Sequence, residues 1–338
     1  MKNMRSIRVM GVVAVVAGLF ASLVVAGCGA SSSAQGGSKD LSLVAYSTPE
    51  AAYNALIPAF QKSSEGKGVK FKTSYGSSGE QSRAVEGGLP ADVVEFSLEP
   101  DMDRLVEAGL VDKNWNKNEY KGMVTDSVVV IAVRKGNPKG IKDWNDLTKP
   151  GVDVITPNPF TSGGARWNVM AAYGAQIKQG KSKQEAIDYL DKLFHNVSVQ
   201  DKSARDSLQT FTGGKGDVLL AYENEAIAAQ KEGEKIDYVV PDQTILIENP
   251  IAATTDASST AQKFVDFARS PKAQKIWGQK GYRPVDKKVL GQFDFPQPSG
   301  LFTIDDLGGW SKVSDKFFDP DKGIMGKIER KVGAPTDK

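Results

Sequence analysis

Three short stretches of the sequence place serine or glycine directly after a predicted strand and at the start of a predicted helix. They are residues 77–79 (SSG), residues 161–164 (TSGG) and the segment that begins at Ser203. The first turn of a helix exposes backbone N–H groups that have no partner within the helix, and the helix dipole adds positive partial charge there. Glycine lets a ligand approach these groups closely, and serine adds a hydroxyl donor. Each stretch therefore predicts a cradle of uncharged donors that suits an oxyanion.

The elements that position these cradles follow from the hydrophobic pattern. Short apolar runs rich in valine, among them "ADVVEF", "SVVVIAV", "VDVIT" and "DVLLAY", favour strands that are buried on both faces. The segments between them carry apolar residues at helical spacing. This alternation predicts an α/β protein with largely parallel sheets. Since ligands of α/β sheets bind where strands end and helices begin, we expect the three cradles to face one site.

Two long apolar segments, 127–138 and 244–256, suit strands that leave one lobe and return from another. They predict a two-lobed molecule. The predicted division of the chain is residues 40–125 and 250–310 in lobe 1, residues 126–249 in lobe 2, and residues 311–338 as a C-terminal extension without a predicted place.

The N-terminus predicts export. Basic residues precede an apolar run over residues 9–25, and a Val-Ala-Gly-Cys box ends at Cys28. This box resembles bacterial lipoprotein signals, in which the cysteine is acylated and becomes the first mature residue. The resemblance implies a signal peptide over residues 1–27, a lipid anchor at Cys28 and a location outside the cytoplasmic membrane. Residues 28–39, rich in glycine and serine, would form a flexible tether. An uncleaved membrane anchor is the alternative.

The bulk composition argues against several function classes. The 338 residues carry 43 basic and 41 acidic side chains, a net charge of +2, which gives no support for nucleic-acid binding. The single histidine, His195, cannot build a zinc site alone, and no nucleophile-elbow or P-loop motif is present. With Cys28 as the only cysteine, no intrachain disulfide can form. We therefore expect neither a catalytic site nor a metal or cofactor.

From about residue 41 to 320 the sequence resembles the sulfate-binding proteins of ABC transporters, which are type II periplasmic-type binding proteins. The matching stretches are "SYGSSGEQS", "VRKGNPKGIKDWNDLTKPGVDVITPNPFTSGGARWN", "SARDS", "GDVLLAYENEA", "YRPVD" and "LFTIDDLGGW". The run through "PNPFTSGGARW" is the most specific of these. The resemblance implies a two-lobed fold, a dehydrated oxyanion held in the cleft without a cationic side chain, and delivery of that ion to a membrane permease.

Carried over by matching position, the resemblance implies six ligand contacts: Ser78, Ser162, Gly163, Gly164, Ala204 and Tyr222. Tyr222 departs from the family, which usually has a tryptophan there. An indole can only donate a hydrogen bond, whereas a phenol can donate or accept one. Glu80 stands where relatives often have a basic residue, and Ser47 stands in place of the family's aspartate. We hypothesise that Tyr222 donates its hydroxyl proton to the ligand.

Two arginines, Arg166 and Arg205, follow the second and third cradles in the sequence. Their position suggests direct contacts with the ligand. The resemblance instead implies buried or lobe-linking ion pairs behind the backbone donors. Asp101 is a candidate partner for one of them.

The function expected from these features is a monomeric, lipid-anchored receptor that binds sulfate outside the cytoplasm and delivers it to an ABC permease. Sulfate carries no proton at neutral pH, so a site made only of donors favours it over hydrogen phosphate, whose O–H needs an acceptor. Thiosulfate and molybdate are alternative ligands for the same fold. A surface-anchored ester hydrolase is the alternative from another class.

Overall fold

The computed structural model describes residues 40–336, in which strands and helices alternate along the chain. The predicted signal peptide, Cys28 and the whole predicted tether lie outside the described residues. Within residues 40–336, every helix is either too short or too polar to span a bilayer.

The first part of the chain forms three parallel strands with helices between them. Its elements are β1 (Asp40–Tyr46), α1 (Glu50–Gln61), β2 (Lys70–Gly76), α2 (Ser78–Glu86), β3 (Val93–Glu95) and α3 (Glu99–Glu107). β1 pairs in parallel with β2 on one side and with β3 on the other. The carboxyl ends of these strands therefore meet at one edge, where α2 begins.

The middle of the chain starts with a long strand and then forms a second set of parallel strands. Its elements are β4 (Met123–Arg134), β5 (Val154–Ile155), α4 (Gly163–Lys178), α5 (Lys183–His195), β6 (Val197–Val199), α6 (Ala204–Thr212), β7 (Val218–Tyr222), α7 (Glu223–Lys231) and β8 (Ile236–Val239). β5 pairs in parallel with β6 and β7. α4 and α6 begin beyond the carboxyl ends of β5 and β6.

The last part of the chain returns along β4 and ends in helices. Its elements are β9 (Leu246–Ala253), α8 (Ser259–Arg269), α9 (Pro271–Gln279), β10 (Arg283–Pro284), α10 (Lys287–Leu290), α11 (Gly309–Phe317) and α12 (Ile324–Val332). Paired strands follow the order β2-β1-β3-β9-β4-β7-β5-β6, with β8 and β10 also paired to β4.

The α/β class predicted from the sequence is confirmed, but the expectation of largely parallel sheets was wrong for the middle of this array. β4 runs antiparallel to β7, β8, β9 and β10, and β9 runs antiparallel to β3. The reason is that β9, which comes after the second set of strands, returns along β4 and beside β3 in the direction opposite to both. The lobe boundaries drawn from the sequence stay a prediction.

Helix α4, which carries the second cradle, is buried on nearly all sides. Thirteen of its sixteen residues are buried, whereas the sequence predicted one apolar stripe. The chain from Trp310 onward supplies the additional cover. Trp310 packs edge-on against Trp167 with ring centroids 4.7 Å apart, and Phe317 packs on Tyr173 at 4.8 Å. Phe317, in the extension that the sequence left without a place, thus helps to hold α4 against its sheet.

Candidate functional site

Helices α2, α4 and α6 each begin at a serine that ends an extended segment. Ser77, Ser162 and Ser203 are the residues that precede the first helical turns. The Oγ atom of Ser162 accepts a hydrogen bond from the Ala165 N–H at 3.3 Å, and Ser203 Oγ accepts one from the Asp206 N–H at 3.2 Å. These caps leave the earlier N–H groups of each helix without an intrahelical partner.

The three helix starts meet at one small cavity. Its lining residues are uncharged, and most of them carry a hydroxyl group. The lining is formed by Tyr46, Ser47, Thr48, Ser77, Ser78, Ser97, Ser162, Gly164, Ser203, Ala204 and Tyr222. Such a lining offers neutral hydrogen-bond donors from both sides of the cavity, together with the positive ends of three helix dipoles.

Five of the six residues carried over from the resemblance line this cavity, and Gly163 does not. Gly163 instead lies against Ser97 and Leu98. A Cβ atom built on Gly163 would lie 2.8 Å from Ser97 Oγ and 2.9 Å from a methyl of Leu98, closer than real contacts allow. Glycine is therefore needed at position 163 to bring the start of α4 next to Ser97.

The hydroxyl of Ser78 is already engaged on the protein side. Its Oγ donates to Asp101 Oδ2 at 2.6 Å and accepts from the backbone N–H of Ser97 at 2.9 Å. Asp101 is almost completely buried, and its backbone oxygen also accepts from Ser82. Since the hydroxyl proton points to Asp101, a ligand contact from Ser78 has to come from its backbone N–H.

Two of the other three serine hydroxyls at the helix starts also donate to a carboxylate. Ser77 Oγ donates to Glu80 at 2.7 Å, and Ser203 Oγ donates to Asp206 at 2.8 Å. Ser162 differs, because its Oγ accepts from the backbone and keeps its own proton for another partner. Among the serines at these helix starts, Ser162 is thus the one suited to donate its hydroxyl proton into the cavity.

Tyr222 lies at the end of β7 and is only 1% exposed. Its hydroxyl is 2.6 Å from Ser97 Oγ, and either oxygen can be the donor. Its ring is tilted against that of Tyr46 with the centroids 6.3 Å apart. Burial raises the pKa of Tyr222 well above its ordinary value, so the phenol keeps its proton at neutral pH. Tyr222 therefore brings one proton and one oxygen to the cavity wall.

Sequence reasoning missed Ser97, although a signal for it was present. Ser97 follows the strand "ADVVEF" and lies at the same edge as the ends of β1 and β2. The rule that ligands bind at the carboxyl ends of strands therefore applies to Ser97 as well. Ser47, noted as a departure from the family, and its neighbour Thr48 follow β1 and line the cavity.

The two arginines next to the cradles are turned to protein partners. Arg205 forms an ion pair with Glu50 of α1 at 2.6 Å. Arg166 donates from Nε to the Pro159 carbonyl at 2.9 Å, and its guanidinium lies 5.0 Å from the ring centre of Phe318. Burial lowers the pKa of Arg166, and the charge of Asp101 opposes this shift. Neither arginine is among the residues that line the cavity.

A buried carboxyl group lies two residues before Ser97. Glu95 is fully buried at the end of β3, and the Tyr53 hydroxyl donates a hydrogen bond to it. Burial raises the pKa of Glu95 from 4.5 to about 8. Glu95 is therefore mostly protonated at neutral pH, which keeps a full negative charge away from this edge of the sheet.

A larger groove, of about 490 Å³, opens beside the small cavity and shares Thr48 with it. It is lined by charged side chains of both signs, among them Glu50, Arg205 and Lys280. Solvent reaches these side chains, so they would hold an ion only weakly. We therefore take the small cavity as the candidate site. Within residues 40–336, no three histidine, cysteine or acidic side chains are grouped so as to hold a metal ion.

Comparison with known proteins gives consistent matches. A family model described as bacterial extracellular solute-binding protein matches residues 41–283. The sulfate-binding protein of Synechococcus elongatus is 43% identical over 92% of this chain and 93% of its own. The thiosulfate-binding protein of Pseudomonas aeruginosa is 33% identical over 91% of this chain and 97% of its own. Among solved structures, the sulfate-binding protein SubI from Mycobacterium tuberculosis H37Rv is similar with a TM-score of 0.81 and 47% identity, covering 83% of this chain and 99% of SubI.

We predict that Gly164→Ala weakens anion binding without lowering the stability of the fold. A Cβ atom on Gly164 would lie 3.4–3.6 Å from atoms of Ser162, Tyr222 and Ala204, which all line the cavity. The methyl group fits without a clash but takes space in the cavity, so oxyanion affinity should fall at least tenfold. Alanine favours a helix over glycine by up to about 1 kcal/mol, so the melting temperature should not fall. Isothermal titration and thermal unfolding measure the two effects.

Gly174→Ala, in the same helix, is the matched control. Its methyl group would lie 2.3 Å from the ring of Phe302, far from the cavity. Overpacking of this kind costs about 1–3 kcal/mol, so Gly174→Ala should lower the melting temperature and leave anion affinity unchanged. Equal affinity of Gly164→Ala and the unchanged protein would place the ligand elsewhere.

We predict that Glu95 makes the protein less stable as the pH rises from about 5 to 8. In this range the folded state keeps a proton on Glu95, while the unfolded state, with a pKa near 4.5, has lost it. The free energy of unfolding therefore decreases with rising pH and levels off above about 8. Glu95→Gln removes this contribution, which is at most about 1.4 kcal/mol per pH unit. Urea unfolding at several pH values measures the slope, with the exposed Glu232→Gln as control. Identical slopes for all three proteins would show that Glu95 is ionised in the folded state.

Proposed function

The chain belongs to the family of bacterial extracellular solute-binding proteins, and on that premise we propose that it is an extracytoplasmic receptor that binds sulfate and delivers it to an ABC permease. The observation that carries the proposal is the small cavity at the starts of α2, α4 and α6, lined by uncharged donors. The sulfate-binding relatives from Synechococcus elongatus and Mycobacterium tuberculosis H37Rv support the same ligand.

In the proposed complex, sulfate is held without a cationic side chain. Ser78, Gly163, Gly164 and Ala204 contribute backbone N–H groups from the first turns of three helices, and Ser162 contributes its hydroxyl proton. Each bond to the dianion is charge-assisted and contributes about 1.5–3 kcal/mol. Several such bonds are needed together, because they have to offset the loss of the water that surrounds a free dianion.

Selectivity against phosphate follows from the same donors. Hydrogen phosphate brings an O–H group that needs an acceptor, and a closed site without one leaves that group unpaired. Tyr222 contributes to this selectivity because its phenol donates its proton to sulfate. The indole that the family usually has at this position can only donate, whereas a phenol can also accept, so phosphate is rejected only if the Tyr222 proton points to the ligand.

Thiosulfate is the second candidate ligand. The thiosulfate-binding protein of Pseudomonas aeruginosa is similar over nearly the whole chain, although its identity is lower than that of the sulfate-binding relatives. A phenol at position 222 occupies less space than an indole and would tolerate the larger sulfur atom. We propose that the protein binds its ligand without catalysing a reaction, and the support is its membership of a family of solute-binding proteins.

Binding and closure of the predicted lobes are linked in this proposal. Arg205 pairs with Glu50 at 2.6 Å, and Lys202 lies 3.9 Å from Glu80. Each pair joins an element of predicted lobe 2 to one of predicted lobe 1. The two ion pairs are partly exposed, so they contribute little alone. A ligand that contacts both lobes shifts the equilibrium toward this closed arrangement.

We predict that sulfate binds at least tenfold more tightly than phosphate at pH 7. The reason is the unpaired O–H of hydrogen phosphate among donors. Isothermal titration of residues 40–338 with sulfate, thiosulfate, molybdate and phosphate at constant ionic strength gives the ranking. Sulfate should also raise the melting temperature, because a ligand that binds only the folded state stabilises it. Phosphate affinity within tenfold of sulfate, or no binding of any of these ions, would contradict the proposal.

We also propose that Cys28 carries a lipid that anchors the protein to the outer face of the cell membrane and that the folded body is a monomer. The support for the anchor is the Val-Ala-Gly-Cys box after the apolar run. Cys28→Ser should move the protein from the membrane fraction to the soluble fraction and abolish incorporation of labelled fatty acid. Ser38→Ala, in the predicted tether, is the control. Unchanged membrane association of Cys28→Ser would favour an uncleaved N-terminal anchor.

A further inference from the structure

Ser97 and Tyr222 form a buried hydroxyl pair in the wall of the candidate cavity. Each residue is 1% exposed, and their oxygens are 2.6 Å apart. One proton lies between the two oxygens, so the other proton of the pair is left to face the cavity. Which residue carries that second proton decides whether Tyr222 presents a proton or a lone pair to a ligand.

Asn249 fixes one side of this arrangement. Its Nδ2 donates to the backbone carbonyl of Ser97 at 3.0 Å, and its Oδ1 accepts from Thr125 Oγ1 at 3.2 Å. A carbonyl oxygen can only accept, so the NH₂ end of the amide has to face Ser97. Asn249 therefore holds the backbone of Ser97 in place, next to the hydroxyl of Tyr222.

We propose that Ser97 is a specificity-determining positioning residue, which donates its hydroxyl proton to the Tyr222 oxygen and so leaves the Tyr222 hydroxyl proton as the polar group offered to the ligand. The inference rests on the proposed function of oxyanion binding. With its oxygen already accepting from Ser97, the phenol behaves like the donor-only indole of the family. The exchange of tryptophan for tyrosine then keeps the rejection of protonated oxyanions.

The acidity of the two hydroxyls supports this direction of donation. A phenol, with an ordinary pKa of about 10, is a far stronger acid than the hydroxyl of serine. A dianion in the cavity is therefore stabilised more by the Tyr222 proton than by the Ser97 proton. Donation from Ser97 to Tyr222 further polarises the phenol O–H toward the anion.

The backbone of Ser97 is held independently of its hydroxyl. Its N–H donates to Ser78 Oγ at 2.9 Å, and its carbonyl accepts from Trp167 Nε1 at 2.8 Å as well as from Asn249. Ser97→Ala keeps these bonds and the Cβ atom that packs against Gly163. The substitution therefore removes only the donor to Tyr222.

The test compares sulfate and phosphate affinities by isothermal titration at pH 7. In Ser97→Ala, a lone pair of Tyr222 becomes available to the O–H of hydrogen phosphate, so the ratio of the phosphate Kd to the sulfate Kd should fall at least tenfold. The control is Ser127→Ala. Ser127 is fully buried, donates one hydrogen bond to Asn224 at 3.0 Å and does not line the cavity. The ratio of phosphate Kd to sulfate Kd in Ser127→Ala should equal that of the unchanged protein.

A rescue variant separates this role from a merely structural one. Adding Tyr222→Trp to Ser97→Ala replaces the phenol with a donor that has no lone pair, so discrimination against phosphate should return. The inference would be wrong if Ser97→Ala left the ratio of phosphate Kd to sulfate Kd unchanged. It would also be wrong if Ser97→Ala lowered this ratio and the added Tyr222→Trp did not restore it. In both cases the proposed function would stand. Absence of sulfate binding by the unchanged protein would overturn both. If Ser97→Ala does not fold, Ser97→Cys, whose thiol is a weak donor, takes its place in the same comparison.

Discussion

The arrangement of this molecule depends on one constraint: three helices have to begin at the same point with their first N–H groups unpaired. α2, α4 and α6 meet this constraint because each follows a strand and the strands end at adjacent edges. Ser162 and Ser203 cap the later N–H groups of their helices and leave the earlier ones free. Gly163 carries no side chain because any Cβ would collide with Ser97.

Carboxylates around the cavity organise the hydroxyl groups. Asp101, Glu80 and Asp206 each accept the proton of a serine next to a helix start. The protons of these serines are thus directed to carboxylates, and in the proposed complex the backbone N–H groups are left to contact the ion. Arg205 is likewise turned to Glu50. The charges hold the donors in place and stay out of the cavity wall.

Features that depend on short stretches of sequence could be predicted. Each junction of a strand with a helix start was predicted from an apolar run followed by serine and glycine, and all three helices begin where they were expected. The antiparallel pairing of β4 and β9 could not be predicted from the sequence, because it joins two strands that are separated by more than a hundred residues along the chain. The cover of α4 by Trp310 and the contact of Ser97 with Tyr222 are tertiary in the same sense.

A site of neutral donors also explains why capture has to involve the whole molecule. A lysine or arginine would attract any anion from one side of a cleft, with little regard to protonation. Backbone N–H groups and hydroxyls are each too weak to do so and become sufficient only when all of them surround the ion. The donors that line the cavity belong to helices and strand ends on both sides of it. If the predicted lobes close around sulfate as proposed, recognition of the ion and closure are one equilibrium, which a partner protein can detect as a change of shape.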